Sequence, residues 1–311
     1  MDPSSRVNPA ATVRATGPTE SMDVRTTDGW SLRVDVHEQG ESAIGVALLG
    51  HALMARRTEF DRPVGAGLAS FLIDRGWHVV AFDFRGHGDS GPAPREGGTF
   101  GYDALVTRDL PAVCEFARSE VGRGLPVVVV GHSLGGHAAL AAQGTRAMQV
   151  DAIATLASTM WMWQLDLSHR RWWAKRATVE TMLVVARRVG YFPARALRLG
   201  SDDEPRALIE DITRVVRSGT WTSADGGVDY LSSLSQVRVP VMQILSENDR
   251  FECDPESGAR FAERCPNSTI VRIARGDDET GAPTHMGLVT SGRVRGVWSQ
   301  VEAWMRKAVT L

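Results

Sequence analysis

The stretch VVVVGHSLGGHAALAA, residues 127–142, sets a serine between an apolar run and a segment of small residues. Four valines lead into Gly131-His132-Ser133-Leu134-Gly135. A Gly-x-Ser-x-Gly between a strand and a helix makes the chain turn so sharply that the serine is held in a strained backbone conformation. Side chains at 131 and 135 would collide with neighbouring backbone, which accounts for both glycines. The turn lifts the serine hydroxyl clear of the sheet. It also sets Ser133 at a helix N-terminus, where unpaired N–H groups and the helix dipole favour developing negative charge. Such a serine is suited to nucleophilic attack on a carbonyl. Its hydroxyl is a weak nucleophile at neutral pH, so a base must lie within hydrogen-bond reach and a carboxylate must orient that base. The tetrahedral oxyanion needs backbone donors, and the Leu134 N–H, next after the serine, is one. Eight histidines are candidates for the base: His37, His51, His78, His87, His132, His137, His169 and His285.

Regular elements must carry these groups to one place. Residues 22–38 read as two short strands around an Asp28-Gly29 turn. AIGVALLG (43–50) and WHVVAFDF (77–84) are continuous apolar runs, as expected of strands buried on both faces. Between them, residues 64–76 place Leu68, Phe71 and Leu72 on one helical face and stop at Gly76. Residues 102–121 suit a helix, with Leu110, Val113, Phe116 and Ala117 inward. LPVVVVG (125–131) is a strand, Ser133 to about Gly144 a helix, and VDAIATLAS (150–158) a strand. This alternation predicts an α/β fold with a mostly parallel central sheet and helices on both faces. From 159 to 237 no strand is expected, and helices are predicted over 175–190 and 204–219. The sheet pattern resumes at 239–245, then a helix near 255–264, a strand at 268–274 and a helix over about 293–308. The chain thus divides into a flexible leader (1–22), a core (23–158 and 237–311) and a helical insert (159–236).

Composition narrows the function classes. The 311 residues carry 35 basic and 37 acidic side chains, a formal charge of −2. No long basic run marks a nucleic-acid or anionic-membrane partner. The leader lacks the apolar core of a secretory signal, and no stretch approaches the roughly 18 apolar residues of a membrane span. The reading is a soluble cytoplasmic protein without an integral membrane segment. Cys114, Cys253 and Cys265 form neither a metal-type spacing nor a disulfide framework, and read as small buried fillers.

Three segments together resemble the α/β-hydrolase family: Gly131-His132-Ser133-Leu134-Gly135, DFRGHGDSG (83–91) and LLGHALM (48–54). The resemblance covers roughly 23–158 and 237–308. It implies that the insert after the sixth strand is a cap over the active site. It also implies a chain order of serine, acid, histidine. Of the histidines, only His285 follows the last strand, in the loop GAPTHMG, so it is the expected general base and later acid. The family places its acid in a short turn after the next-to-last strand. Here ILSENDRF offers Asp249 first and Glu247 second, with Ser246 standing where a glycine is usual. Asp277 and Asp278 in GDDET are a remoter choice. The second oxyanion donor comes from the His-Gly segment, represented by His51-Ala52, so Leu53 N–H is expected, with Ala52 as the alternative.

The cap segment contains Trp161, Trp163, Trp172, Trp173 and Trp221. Trp161 and Trp163 are the expected pocket walls for an apolar acyl or ring-bearing group. Arg56 and Arg57 are expected to pair with acids such as Glu59 or Asp61, and Arg85 and His87 to be structural. The resulting expectation is a serine hydrolase that cleaves a carboxylic ester through an acyl-enzyme, acts on a small molecule, and needs neither metal nor organic cofactor. In layout it is similar to capped esterases and monoacylglycerol-lipase-like proteins. Acyltransferases, thioesterases, C–C bond hydrolases and cofactor-free haloperoxidases share the scaffold, and a non-catalytic ligand receptor is the remaining alternative.

Overall fold

The computed structural model describes residues 20–40, 42–274 and 281–310. An eight-stranded sheet runs in the order β1 (Glu20–Arg25), β2 (Ser31–His37), β4 (Trp77–Phe82), β3 (Gly45–Gly50), β5 (Val127–His132), β6 (Ala152–Leu156), β9 (Val241–Ser246) and β10 (Ser268–Ile273). Only the pairings made by β2, with β1 and with β4, are antiparallel. The rest of the ladder is parallel. The four valines of β5 explain their own run. Val127 and Val129 pack into the core on one face, Val128 and Val130 into the core on the other. A strand in mid-sheet with helices on both sides has no solvent face to make polar.

The first strand starts earlier than the sequence pattern implies. Glu20 and Ser21 pair with Val36 and Asp35. Polar residues at a sheet edge carry no apolar signal, so residues 20–22, expected in the leader, belong to the sheet, and residues 1–19 lie outside the described residues. Helix α1 (Leu68–Ile73) is shorter than expected. The Asp61 carboxylate accepts from the N–H groups of Gly65 and Gly67 and from Ser70 Oγ, which holds 64–67 as a turn. Residues 102–121 are helical throughout. There α2 (Tyr102–Ala104) and α3 (Leu110–Phe116) are linked and extended by wider π-type turns. Helix α4 (Leu134–Gly144) follows β5 directly.

The insert after β6 contains α5 (His169–Val189) and α6 (Arg206–Ser218), packed as a hairpin with its own small cores. Helix α5 begins six residues ahead of the expected start, because Ser168 caps it and Trp172 and Lys175 already face inward. Contrary to expectation, the insert also carries extended chain, a two-residue ribbon of β7 (Tyr191–Phe192) and β8 (Glu204–Pro205). A short helix α7 (Tyr230–Ser233) leads back to the sheet. Helix α8 (Pro255–Ala262), the short α9 (Gly287–Thr290) and α10 (Arg295–Thr310) complete the core. All three cysteines are buried and free. Among the described residues no helix is long and apolar enough to cross a membrane.

Candidate active site

Register brings the strand ends together. Gly50 at the end of β3 pairs with Gly131, His132 pairs with Leu156, and Leu156 with Ile244. The segments that leave β3, β5, β6 and β9 therefore emerge in a row at the carboxyl edge of the sheet, where open α/β sheets bind ligands.

Ser133 occupies φ 48° and ψ −109°, a region that side-chain-bearing residues avoid. Its N–H donates to Leu156 O at 2.9 Å, and its carbonyl accepts from Ser158 Oγ at 3.0 Å and from the Gly136 N–H at 3.1 Å. The glycines are required by contact. A Cβ on Gly131 would lie 2.4 Å from Gly136 Cα, and one on Gly135 would lie 2.1 Å from Gly50 O. Gly135 N–H donates to His51 O at 3.0 Å, which ties the serine turn to the loop after β3.

After β9 the chain makes a tight turn in which Asp249 N–H donates to Ser246 O. Asp249 is buried at 2 % exposure while Glu247 faces solvent. Asp249 Oδ2 lies 2.5 Å from His285 Nδ1, and Oδ1 accepts from the Cys253 N–H at 3.0 Å. Burial opposes the Asp249 charge, but the imidazole and the Cys253 amide outweigh it and hold the carboxyl below its ordinary value. Ser246 Oγ donates to Pro283 O at 2.5 Å, so the serine in place of the usual glycine fastens the acid turn to the His285 loop. Asp277 and Asp278 lie outside the described residues. Among the described residues no hydrogen bond joins Ser133 Oγ to His285. The imidazole instead lies against His132, the residue before Ser133, with ring centroids 4.9 Å apart.

The loop after β3 separates its amides. Ala52 N–H donates to Glu59 Oε1 at 3.0 Å, and Met54 N–H donates to Glu204 Oε1 at 2.5 Å. Among the described residues the N–H groups of Leu53 and Leu134 have no acceptor. His51 Nε2 accepts from Phe84 N–H at 3.0 Å, so its Nδ1–H donates to Ala52 O at 2.8 Å. Burial depresses the His51 pKa to about 3, which keeps that ring neutral.

Arg56 and Arg57 do not pair with Glu59 or Asp61. Arg56 forks onto Asp202 of the insert at 2.6 and 2.7 Å. Arg57 pairs with Asp35, Asp83 and Asp89. Arg85 binds Asp109 and Asp28, and His87 Nε2 lies 3.0 Å from Glu204 Oε1. Trp161 is half-buried. Its Nε1–H donates to Glu252 O at 2.7 Å and its ring meets Phe251 edge-on at 5.4 Å, three residues or fewer from Asp249. Trp163 is 56 % exposed and lies against Gly219. Sequence reasoning missed Glu59 and Glu204, which hold the amides on either side of Leu53. A lone glutamate in a polar loop carries no local signal of such a role.

Comparison with known proteins matches residues 64–275 to the family described as serine aminopeptidase, S33. No curated protein matches the chain. Among solved structures, a soluble variant of monoglyceride lipase from Saccharomyces cerevisiae, in complex with a substrate analog, aligns at TM-score 0.68 and 19 % identity over 97 % of this chain and 99 % of that one. An esterase from Pyrococcus furiosus aligns at 0.61 and 17 %, covering 93 % and 91 %. Est1E from Butyrivibrio proteoclasticus, with ferulic acid bound, aligns at 0.62 and 14 %, covering 93 % and 100 %.

Proposed function

Because the chain belongs to the serine aminopeptidase S33 family of α/β hydrolases, we propose that it cleaves a carboxylic ester with an apolar acyl or ring-bearing part, through an acyl-enzyme on Ser133. His285 takes the serine proton, attack forms the tetrahedral intermediate, and the imidazolium returns the proton to the leaving alcohol. Water then attacks the acyl-enzyme with His285 again as base. Asp249 holds the Nδ1–H tautomer and stabilises the imidazolium. Leu134 and Leu53 N–H receive the oxyanion, each donor worth about 3 kcal/mol in the transition state. Ala52 is the poorer choice for the second donor, because its N–H is already given to Glu59. Trp161 forms an apolar wall beside the acid turn, while Trp163, half out in solvent, contributes at the mouth.

The observation that carries this reading is the 2.5 Å contact of buried Asp249 with His285, reached from two separate loops, whose imidazole lies against the residue before a serine held at φ 48°. The test is a series of p-nitrophenyl esters of increasing chain length, with aminoacyl p-nitroanilides and competing alcohols as further arms. Turnover of esters by wild type, lost by a factor on the order of 10⁴ or more in Ser133→Ala and His285→Ala, is expected. Faster cleavage of the anilides, or acyl transfer to the competing alcohol in preference to hydrolysis, overturns the ester-hydrolase reading. The relatives' printed names, two of them esterase and monoglyceride lipase, support the choice of esters.

A further inference from the structure

We propose that Glu59 and His132 form a positioning pair that sets the geometry of both the oxyanion loop and the His285 loop around Ser133, an inference that rests on the serine-hydrolase reading above. Glu59 lies in the short turn Arg57–Asp61 and is 2 % exposed. Its Oε1 accepts from Ala52 N–H at 3.0 Å and lies 3.1 Å from His132 Nδ1. His132, the last residue of β5, is fully buried. Its Nε2 lies 3.2 Å from the carbonyl oxygen of His285. Three segments therefore meet on two side chains: the residue before Leu53, the residue before Ser133, and the backbone of His285 itself.

The protons can be counted. A carbonyl oxygen only accepts, so His132 Nε2 carries a hydrogen. Nδ1 and Glu59 Oε1 then share one further proton, as imidazolium and carboxylate or as imidazole and carboxylic acid. The pair is neutral in both forms and adds no net charge beside the catalytic imidazole. What it adds is direction. Holding the Ala52 N–H fixes the plane of the loop so that the next amide, Leu53, stays unpaired. Holding the His285 carbonyl fixes that residue's backbone, while Asp249 fixes its ring. The arrangement is not what stability alone would select. Glu59 Oε2 is buried with no partner among the described residues. A carboxylate kept in a dry site with one oxygen unsatisfied is a net burden on folding.

The test compares wild type with Glu59→Ala, Glu59→Gln, His132→Phe and the Glu59→Ala/His132→Phe double variant. Two quantities are read for each: the rate at which a fluorophosphonate labels Ser133, and kcat and KM on a p-nitrophenyl ester. Displacing reacting groups by about 1 Å costs on the order of 100-fold, so Glu59→Ala is expected to lower kcat and the labelling rate by about that factor with KM within about twofold. Glu59→Gln keeps an oxygen for the Ala52 N–H but has no proton to share with His132 Nδ1, so it recovers part of the loss and falls between Glu59→Ala and wild type. The double variant loses no more than the worse single one, as residues acting as a unit do. A folded Glu59→Ala protein with wild-type kcat and labelling overturns the proposal, as does a Glu59→Gln variant as slow as Glu59→Ala. If His132→Phe does not fold, the Glu59 series decides alone. Wild type that neither labels nor turns over sinks the hydrolase reading and the pair together; labelling of wild type and variants at equal rates sinks the pair only.

Discussion

The strain at Ser133 costs of the order of 1–3 kcal/mol, and it persists because the chain on both sides is pinned by contacts that leave no slack. Gly135 is the sharpest of these. An added methyl would press on the Gly50 carbonyl, which is backbone and has nowhere to go. Gly135→Ala is therefore expected to destabilise the protein by about 1–3 kcal/mol in urea unfolding and to abolish esterase activity. Gly296, near the start of α10, has nothing within 4 Å of an added Cβ. The same substitution there is expected to stabilise by about 0.5 kcal/mol, the ordinary gain of alanine over glycine in a helix. A like sign at both positions would mean that close approach is not what keeps Gly135. Asp249→Asn retains the shape of the acid but not the tautomer it holds, and a fall in kcat on the order of 10⁴ with little change in melting temperature is the expected result. The strained turn at Ser133 was legible because its signal is local: five residues and the pattern around them. Asp249 was put ahead of Glu247 only through the resemblance, since both are acids that follow β9; the turn points the Asp249 carboxylate inward and leaves that of Glu247 in water. The partners of Arg56 and Arg57 were misread for a related reason. The true acids lie 146 residues away for Arg56, and 22 to 32 away for Arg57, whereas Glu59 and Asp61 are merely adjacent.

Between residues and the whole stands the grip of the insert on the loop after β3. Met54 is held from both sides. Its N–H donates to Glu204, and its carbonyl accepts from Ser201 N–H at 2.7 Å and Asp202 N–H at 3.1 Å. Glu204 also faces His87, which is fully buried. Burial opposes a charge on His87, but the Glu204 carboxylate prevails and lifts its pKa from 6.5 to about 9. A histidine whose pKa rises on folding stabilises the protein fully below its unfolded value, and that contribution is lost as pH climbs through the folded value. The expected consequence is a melting temperature that falls between pH 6.5 and 9, by an amount corresponding to at most about 3 kcal/mol. Glu204→Gln removes the carboxylate and should flatten that interval. A slope unchanged by Glu204→Gln would show that another group titrates. The elements of this latch were half legible. Helix α6 and its stop at Gly219, φ 70°, follow from sequence period and glycine. The ribbon of β7 and β8 does not, because two-residue strands have no period to read. The extra turns at the start of α5 were hidden too, since Lys175 is charged and Trp172 and Trp173 alternate between inside and outside.

For the molecule as a whole, the insert is fastened at two ends to loops at the carboxyl edge of the sheet. At one end Arg56, through Asp202, and Glu204, through Met54, fasten it to the loop after β3. At the other end Arg171 binds Asp166 at 2.8 Å and Asp254 at 2.9 Å, and buried Lys175 lies 3.1 Å from Asp166. Asp254 caps α8, five residues beyond Asp249. The two abutments thus stand on the two loops that the proposed chemistry requires to stay still. The alternation of strands and helices made the core legible, and its interruption marked the insert, but the abutments are ion pairs between remote segments and leave no trace in either pattern. Loosening one abutment tests whether the insert behaves as a unit. Arg171 is 17 % exposed, so solvent screens part of its interaction, and its loss is worth about 1–2 kcal/mol. In Arg171→Ala, amides of α5 and α6 are expected to exchange about tenfold faster, while those of β3, β5 and β6 keep their protection. If the insert forms the far wall of the acyl site, as the proposed function has it, the same variant raises KM for long-chain esters more than for acetate. Uniform acceleration across sheet and insert would mean that the molecule opens as one body and that the abutments merely add to global stability.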